Sequence, residues 1–202
     1  MTAHPRFSDF FRILDPQVNP GLFSNWSGDV VRGAPPRWMS TPYRMTGVGA
    51  VLAGARSSVR HLMPAVYAST DPLTLAAELH YKAAKYGWTA ASFHPRLTVG
   101  MHWELQAVVD LTAGAVLRAL GTSTTDLTNC DWETEQTAGR EALTQAIGRA
   151  AFERLAEGLI LPSARRHGGV NVVFFPGHRR DGTRLRVLDP RAMPPDMPGL
   201  DP

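Results

Sequence analysis

The chain has 202 residues and is 44% hydrophobic, enough for one substantial core, so a single domain is the expectation. Its net charge of +3 at pH 7, from 21 Lys and Arg against 18 Asp and Glu spread along the chain, is weak support for nucleic-acid binding. The lone cysteine, Cys130, excludes an internal disulfide and argues against a structural zinc site, and no apolar run is long enough to cross a bilayer.

The start, MTAHPRFSDFF, lacks the charged-then-apolar pattern of a secretory leader, so a soluble, unprocessed, cytoplasmic protein is expected. Residues 1–42 carry six prolines and no sustained periodicity, and read as an irregular extension wrapped on the domain. Gly47, Gly49 and Gly54 form a glycine-rich stretch. Its third glycine falls too late for a dinucleotide fingerprint and no helical pattern follows, so it reads as a flexible turn.

Ala65–Ala68 reads as a short strand leading into Ser69-Thr70-Asp71-Pro72, a cap followed by proline at a first helical turn. The helix that starts there repeats Leu75, Leu79, Ala83 and Tyr86 at helical spacing up to Gly87, predicting one buried stripe. From Leu97 to Val109 apolar and polar residues alternate in a long strand with one buried face. A short helix over Ala113–Leu120 is closed by Gly121. A longer one is predicted from Glu135 to Ala156, with Leu143, Ile147, Ala151 and Leu155 on one side and Gly158 ending it. Leu159–Leu161 and Val170–Phe175 read as strands, and Asp181-Gly182 as a hairpin turn into a last strand, Arg184–Leu188. The Pro-rich residues after 189 read as a tail. Strands and helices mix without strict alternation, which favours α+β over a doubly wound sheet.

Signatures of P-loop hydrolysis, zinc proteolysis and the hydrolase elbow do not occur in the sequence. Three ordered segments are distinctive instead. The first is Pro42-Tyr43-Arg44. The second runs from Gly54-Ala55-Arg56 through Pro64–Ser69 to Leu75-Ala76-Ala77-Glu78. The third is Glu157–Arg165 followed by Asn171–Phe174. Over residues 43–175 this set resembles the RES domain family, named for its Arg, Glu and Ser. In one place it departs from that pattern: the family usually follows its glycine-arginine turn with an aromatic residue, and here Arg56 is followed by Ser57.

The resemblance implies a single α+β domain over residues 43–188 with an ADP-ribosyltransferase-like fold, mixed β-sheets and flanking helices. It implies an NAD-degrading toxin that cleaves the nicotinamide–ribose bond as a glycohydrolase or phosphorylase, with NAD as substrate and no metal. The implied partner is a helix-turn-helix (Xre-type) antitoxin that covers the active site, with a homodimer left open. Protein ADP-ribosylation is the nearest alternative, and a non-catalytic nucleic-acid-binding module built on Arg165-Arg166-His167 and His178-Arg179-Arg180 is the rival from another class.

The residue types suit that chemistry. Nicotinamide is already a cationic leaving group, so the main requirement is an anion beside the ribose carbon as it becomes oxocarbenium-like. Glu78 is the candidate for that anion; it sits roughly 60° from Leu75 around the helix, at the margin of the apolar stripe. The competing reading pairs it with Lys82 on an exposed helix face. Arg44, with Arg56 as second candidate, suits the pyrophosphate or a ribose by charge-assisted hydrogen bonds, against a surface salt bridge. Tyr67 suits a cationic ring by its π-face, against a core tyrosine. Ser163 suits orientation of the substrate through its hydroxyl, against an ordinary turn serine.

Overall fold

The computed structural model describes residues 1–35, 45–89 and 97–189. Its centre is one sheet that closes on itself. Strand β1 (Ser24–Ala34) pairs with β2 (Val66–Ser69), β2 with β5 (Val170–Phe174), β5 with β4 (Gly158–Pro162), and β4 with β3 (Leu97–Asp110). The other edge of β3 returns to β1, antiparallel, from Ala34 opposite Leu97 to Trp26 opposite Leu105. The result is a barrel-like α+β domain with a single closed sheet where several mixed sheets were expected. Among the described residues no helix is long and apolar enough to cross a membrane.

The alternation read in residues 97–109 is the strand β3, with Val99, Met101, Trp103, Leu105 and Ala107 buried and the intervening residues less so. Its inward side meets Val30, Val66, Val172 and Phe174 in a core inside the sheet. A second core lies outside it. There Leu159, Leu161, Val173 and Phe175 pack against helix α1 (Phe7–Ile13) and a late helix, Leu143–Glu153. Strands β4 and β5 therefore bury both faces, which is why they read as nearly continuous apolar runs.

Four expectations are corrected. Residues 1–34 are not irregular: they hold α1, whose Phe10 is fully buried along with the adjoining Leu14, a 3-10 turn at Pro20–Leu22, and the longest ladder partner of β3. The periodicity of β1 is blurred because its outward residues meet solvent while small Gly28 and Gly33 stand where apolar side chains would announce a strand. The glycine-rich stretch is a helix, α2 (Val48–Ala53), bounded by Gly47 at φ +69° and Gly54 at φ +74°, a backbone region that disfavours side chains.

The predicted helix over Glu135–Ala156 is two helices. After α3 (Pro72–Lys85), the short α4 (Gly114–Ala119) and α5 (Thr124–Asn129), the chain forms α6 (Trp132–Thr137), breaks over residues 138–142, and resumes as α7 (Leu143–Glu153). The break has two causes: Gly139 adopts φ +74°, and Thr2 takes up the backbone by bonding Gly139 O and Glu141 N. Leu155 lies beyond α7 at φ +59° and is 62% exposed, so it does not join the predicted stripe. Finally, Asp181-Gly182 is a turn but not a hairpin turn, since β6 (Arg184–Val187) pairs antiparallel with β3 and not with β5.

Candidate active site

A cavity of about 370 Å³ opens where β1, β2 and β5 meet α2, α3 and α6; Arg32, Arg56, Tyr67, Glu78, Arg165 and Asn171 line it. That volume is in the range of small-molecule sites. Helix α3 forms one wall, and its start is strongly specified. Asp71 caps it, accepting from Thr74 N at 3.0 Å and from Thr74 Oγ1 at 2.6 Å, and Pro72 occupies the first turn. These bonds hold the Asp71 carboxyl below its ordinary value, with Arg166 adding a smaller charge effect. The stripe predicted to be buried on this helix is corrected. Leu75 and Leu79 are only half-buried and line the cavity, Tyr86 is 49% exposed, and Thr74 is the helix's one buried residue.

Glu78 points into this wall at its junction with β4 and β5. Its Oε1 accepts from Ser163 Oγ at 2.7 Å and from Asn171 Nδ2 at 2.9 Å. Ser163, buried at the end of β4, also accepts from the backbone N–H of Arg165 and of Arg166, each at 3.1 Å. A hydroxyl has one proton and two lone pairs, so all its capacity is in use. The turn-serine reading and the site reading of Ser163 therefore describe the same side chain: it ties the 163–166 turn to the Glu78 carboxylate.

Two half-buried arginines, Arg56 and Arg32, face the cavity without a carboxylate partner among the described residues, as does the exposed Arg165. Arg56 donates to Pro162 O at 2.8 Å and Leu127 O at 2.7 Å, and its buried Nε has no hydrogen bond there. Burial lowers its pKa, partly offset by the charge of Glu78. Arg32, which the sequence reading passed over, donates to Tyr67 O at 2.8 Å; its Nε is likewise buried and unbonded, and burial brings its pKa down to about 10. Holding a guanidinium with only carbonyl acceptors is costly unless an anion completes it. Arg44 lies outside the described residues.

Tyr67 turns its hydroxyl away from solvent, toward Ser57 N at 3.1 Å and Ser58 Oγ at 2.8 Å, and burial pushes its pKa up to about 12. The Ser57 that departs from the family pattern is thus fully buried and serves the tyrosine through its backbone. The wall has aromatic residues from elsewhere. Trp132, at the first turn of α6, lines the cavity, and Arg165 lays its guanidinium 3.3 Å from the centre of the Tyr81 ring. Nothing in the sequence marks Trp132, which precedes the helix predicted from Glu135 in a stretch with no motif or sustained periodicity.

The two basic clusters are partly engaged. Arg166 pairs with Asp71 at 3.1 Å, the His178 ring packs on Phe152 and bonds Ala156 O, and Arg180 donates to Leu155 O. Arg165, His167, Arg179 and Arg180 remain exposed.

The family model described as RES domain matches residues 29–196. The match begins within β1 and includes Arg32, so the likeness reaches further toward the N-terminus than the 43–175 read from motifs. Among solved structures, the fold resembles a chain of the crystal structure of the M. tuberculosis MbcT-MbcA toxin-antitoxin complex, with a TM-score of 0.67, 22% identity and 89% of each chain covered. No curated protein matches the chain significantly.

Proposed function

The chain belongs to the RES domain family, and from that premise we propose that it is a toxin that degrades NAD by breaking the nicotinamide–ribose bond on an ADP-ribosyltransferase-like fold. The observation that carries this reading is the pairing, in one cavity, of a carboxylate held by two donors with two half-buried arginines, each with a buried, unbonded Nε and no carboxylate in ion-pair contact. A dinucleotide has that polarity. Its pyrophosphate suits Arg32 and Arg56, and its ribose beside the cationic ring suits Glu78.

In the proposed reaction the bond between ribose C1′ and the nicotinamide nitrogen breaks, and its electron pair leaves with neutral nicotinamide. The positive charge that develops on the ribose faces the Glu78 carboxylate, and an acceptor oxygen then bonds to C1′. With water as acceptor, one proton is released. Ser163 acts on the substrate through Glu78, since its own proton is donated there. Tyr67 and Trp132 supply apolar faces against which a cationic ring is favourable.

An antitoxin partner is part of the proposal; it is supported by the family and by the toxin-antitoxin complex in which the similar chain was solved. The nucleic-acid reading keeps the exposed Arg165, His167, Arg179 and Arg180, but Arg166 and His178 of the same clusters are engaged within the protein, by Asp71 and by Phe152 and Ala156. The deciding experiment incubates the purified protein with NAD and separates the products. Free nicotinamide is expected, with ADP-ribose if water is the acceptor, a phosphorylated ADP-ribose that appears only when phosphate is added, or a labelled protein if the acceptor is macromolecular. Intact NAD under all three conditions rejects the proposal.

A further inference from the structure

Glu78 is held by more than its own helix. The ladder between β2 and β5 runs Val66 opposite Phe174, Tyr67 opposite Val173, Ala68 opposite Val172, and then Ser69 opposite Asn171. At that last pair Ser69, only 3% exposed, donates its hydroxyl to Asn171 Oδ1 at 2.7 Å. An asparagine amide has an acceptor end and a donor end, and a half-turn exchanges them. With Oδ1 taken by Ser69, the donor end faces Glu78 Oε1 at 2.9 Å. Turned the other way, an amide oxygen would face a carboxylate oxygen, which repels.

From this chain of contacts we infer that Asn171 is a positioning residue for Glu78, and that Ser69, by donating to Oδ1, braces the amide in the orientation that the carboxylate selects. The two donors, Asn171 and Ser163, converge on a single carboxylate oxygen. Among the described residues Oε2 has no protein donor, so it is the oxygen available to a substrate. The strand register thereby decides which oxygen of Glu78 is occupied and where the other one points. This inference rests on Glu78 being the group that acts on the substrate.

The test measures nicotinamide release from NAD by Asn171→Ala and Ser69→Ala proteins, each alone, the two together, and each combined with Glu78→Gln. Asn171→Ala is expected to lower kcat about tenfold to a hundredfold with KM little changed, as misplacement of a reacting group does. Ser69→Ala should lose less than Asn171→Ala, and the double variant no more than Asn171→Ala alone, because both act along one chain of bonds. In the Glu78→Gln background Asn171→Ala should cost almost nothing. A kcat for Asn171→Ala within twofold of the unmodified protein, or an equal loss in both backgrounds, overturns the inference while leaving the reading of Glu78 intact.

A second readout does not depend on activity. In nuclear magnetic resonance spectra of the full chain, the Asn171 side-chain amide protons should be slow to exchange, and both Glu78→Gln and Ser69→Ala should shift them. Unshifted resonances in both variants overturn the inference even for a protein that leaves NAD intact. An NAD assay that fails for the unmodified protein, with these shifts present, rejects the proposed reaction but not the positioning contact.

Discussion

Two stretches of the same closed sheet use burial differently. In the middle of β3, Met101, Trp103 and Leu105 are completely buried among other apolar side chains, and the exclusion of water itself stabilises the fold. At the end of the β2–β5 ladder the pairing changes within three residues from Val66 and Phe174 to Ser69 and Asn171, and Glu78 meets them from α3. Apolar residues there would be stabilising too. Buried polar groups are tolerated when each has a partner, and the shared Glu78 oxygen shows how closely these have been matched. The barrel interior carries stability, and in the proposed reaction the ladder end carries the chemistry.

Substitutions can break or sharpen that contrast. Trp103→Ala should have the largest effect, lowering stability by about 3–5 kcal/mol by opening a cavity in the interior. Denaturant unfolding measures it, and a loss under 1 kcal/mol would mean that the interior is less tightly packed than the structure shows.

Glu78→Gln should do the reverse. Its turnover of NAD is expected to fall about 10² to 10³-fold while its melting temperature stays close to that of the unmodified protein. Near-normal cleavage by a well-folded variant removes Glu78 from the chemistry.

The arginines test the other side of the cavity. Arg32→Ala should raise KM for NAD by about tenfold to a hundredfold, in line with loss of a hydrogen bond between charged groups worth roughly 1.5–3 kcal/mol, and kcat should change less. Stability should not fall, because a half-buried guanidinium with a buried, unbonded Nε has been removed. Arg44→Ala, measured beside it, is expected to weaken NAD binding if the first arginine of the motif reaches the substrate. An unchanged KM in that variant leaves the phosphate role to Arg32 and Arg56.

The smallest effect concerns the scaffold of Glu78. Asp71→Ala removes the cap of α3 and should cost about 1 kcal/mol. Because the cap's carboxyl titrates below its ordinary value in the folded protein, its contribution is complete above the usual carboxylate range and is lost as the pH falls through the lowered value. The difference in melting temperature between Asp71→Ala and the unmodified protein should therefore shrink in acid. A difference that is constant from neutral pH to pH 3 would show that the carboxylate is not the stabilising group.

The candidate site was legible in parts. Glu78 stood at the edge of a helical stripe, and its helix was announced by Asp71 and Pro72, which act within a few residues of chain. Ser163 and Asn171 were visible as members of an ordered motif set. Arg32 was not, because an arginine on a solvent-edged strand looks like any surface cation until the sheet closes around it. Trp132 was hidden because its short helix has no periodicity long enough to read.

The sequence alone determined the elements whose signals are local. These are the alternating β3, the capped α3, the glycine-bounded α4 and the apolar β4 and β5, since caps and periodicities act over one or two turns of chain. Tertiary structure decided what depends on distant partners. Thr2 interrupts a helix that periodicity would have continued through residues 138–142, and β6 chooses β3 over the strand before it. The closing of β1 onto both β2 and β3 brings Arg32 to the cavity, and the β2–β5 register sets Ser69 opposite Asn171 and Asn171 against Glu78. Those pairings join residues 38 or more positions apart, and their free energy appears only when the chain has folded, so no local pattern encodes them.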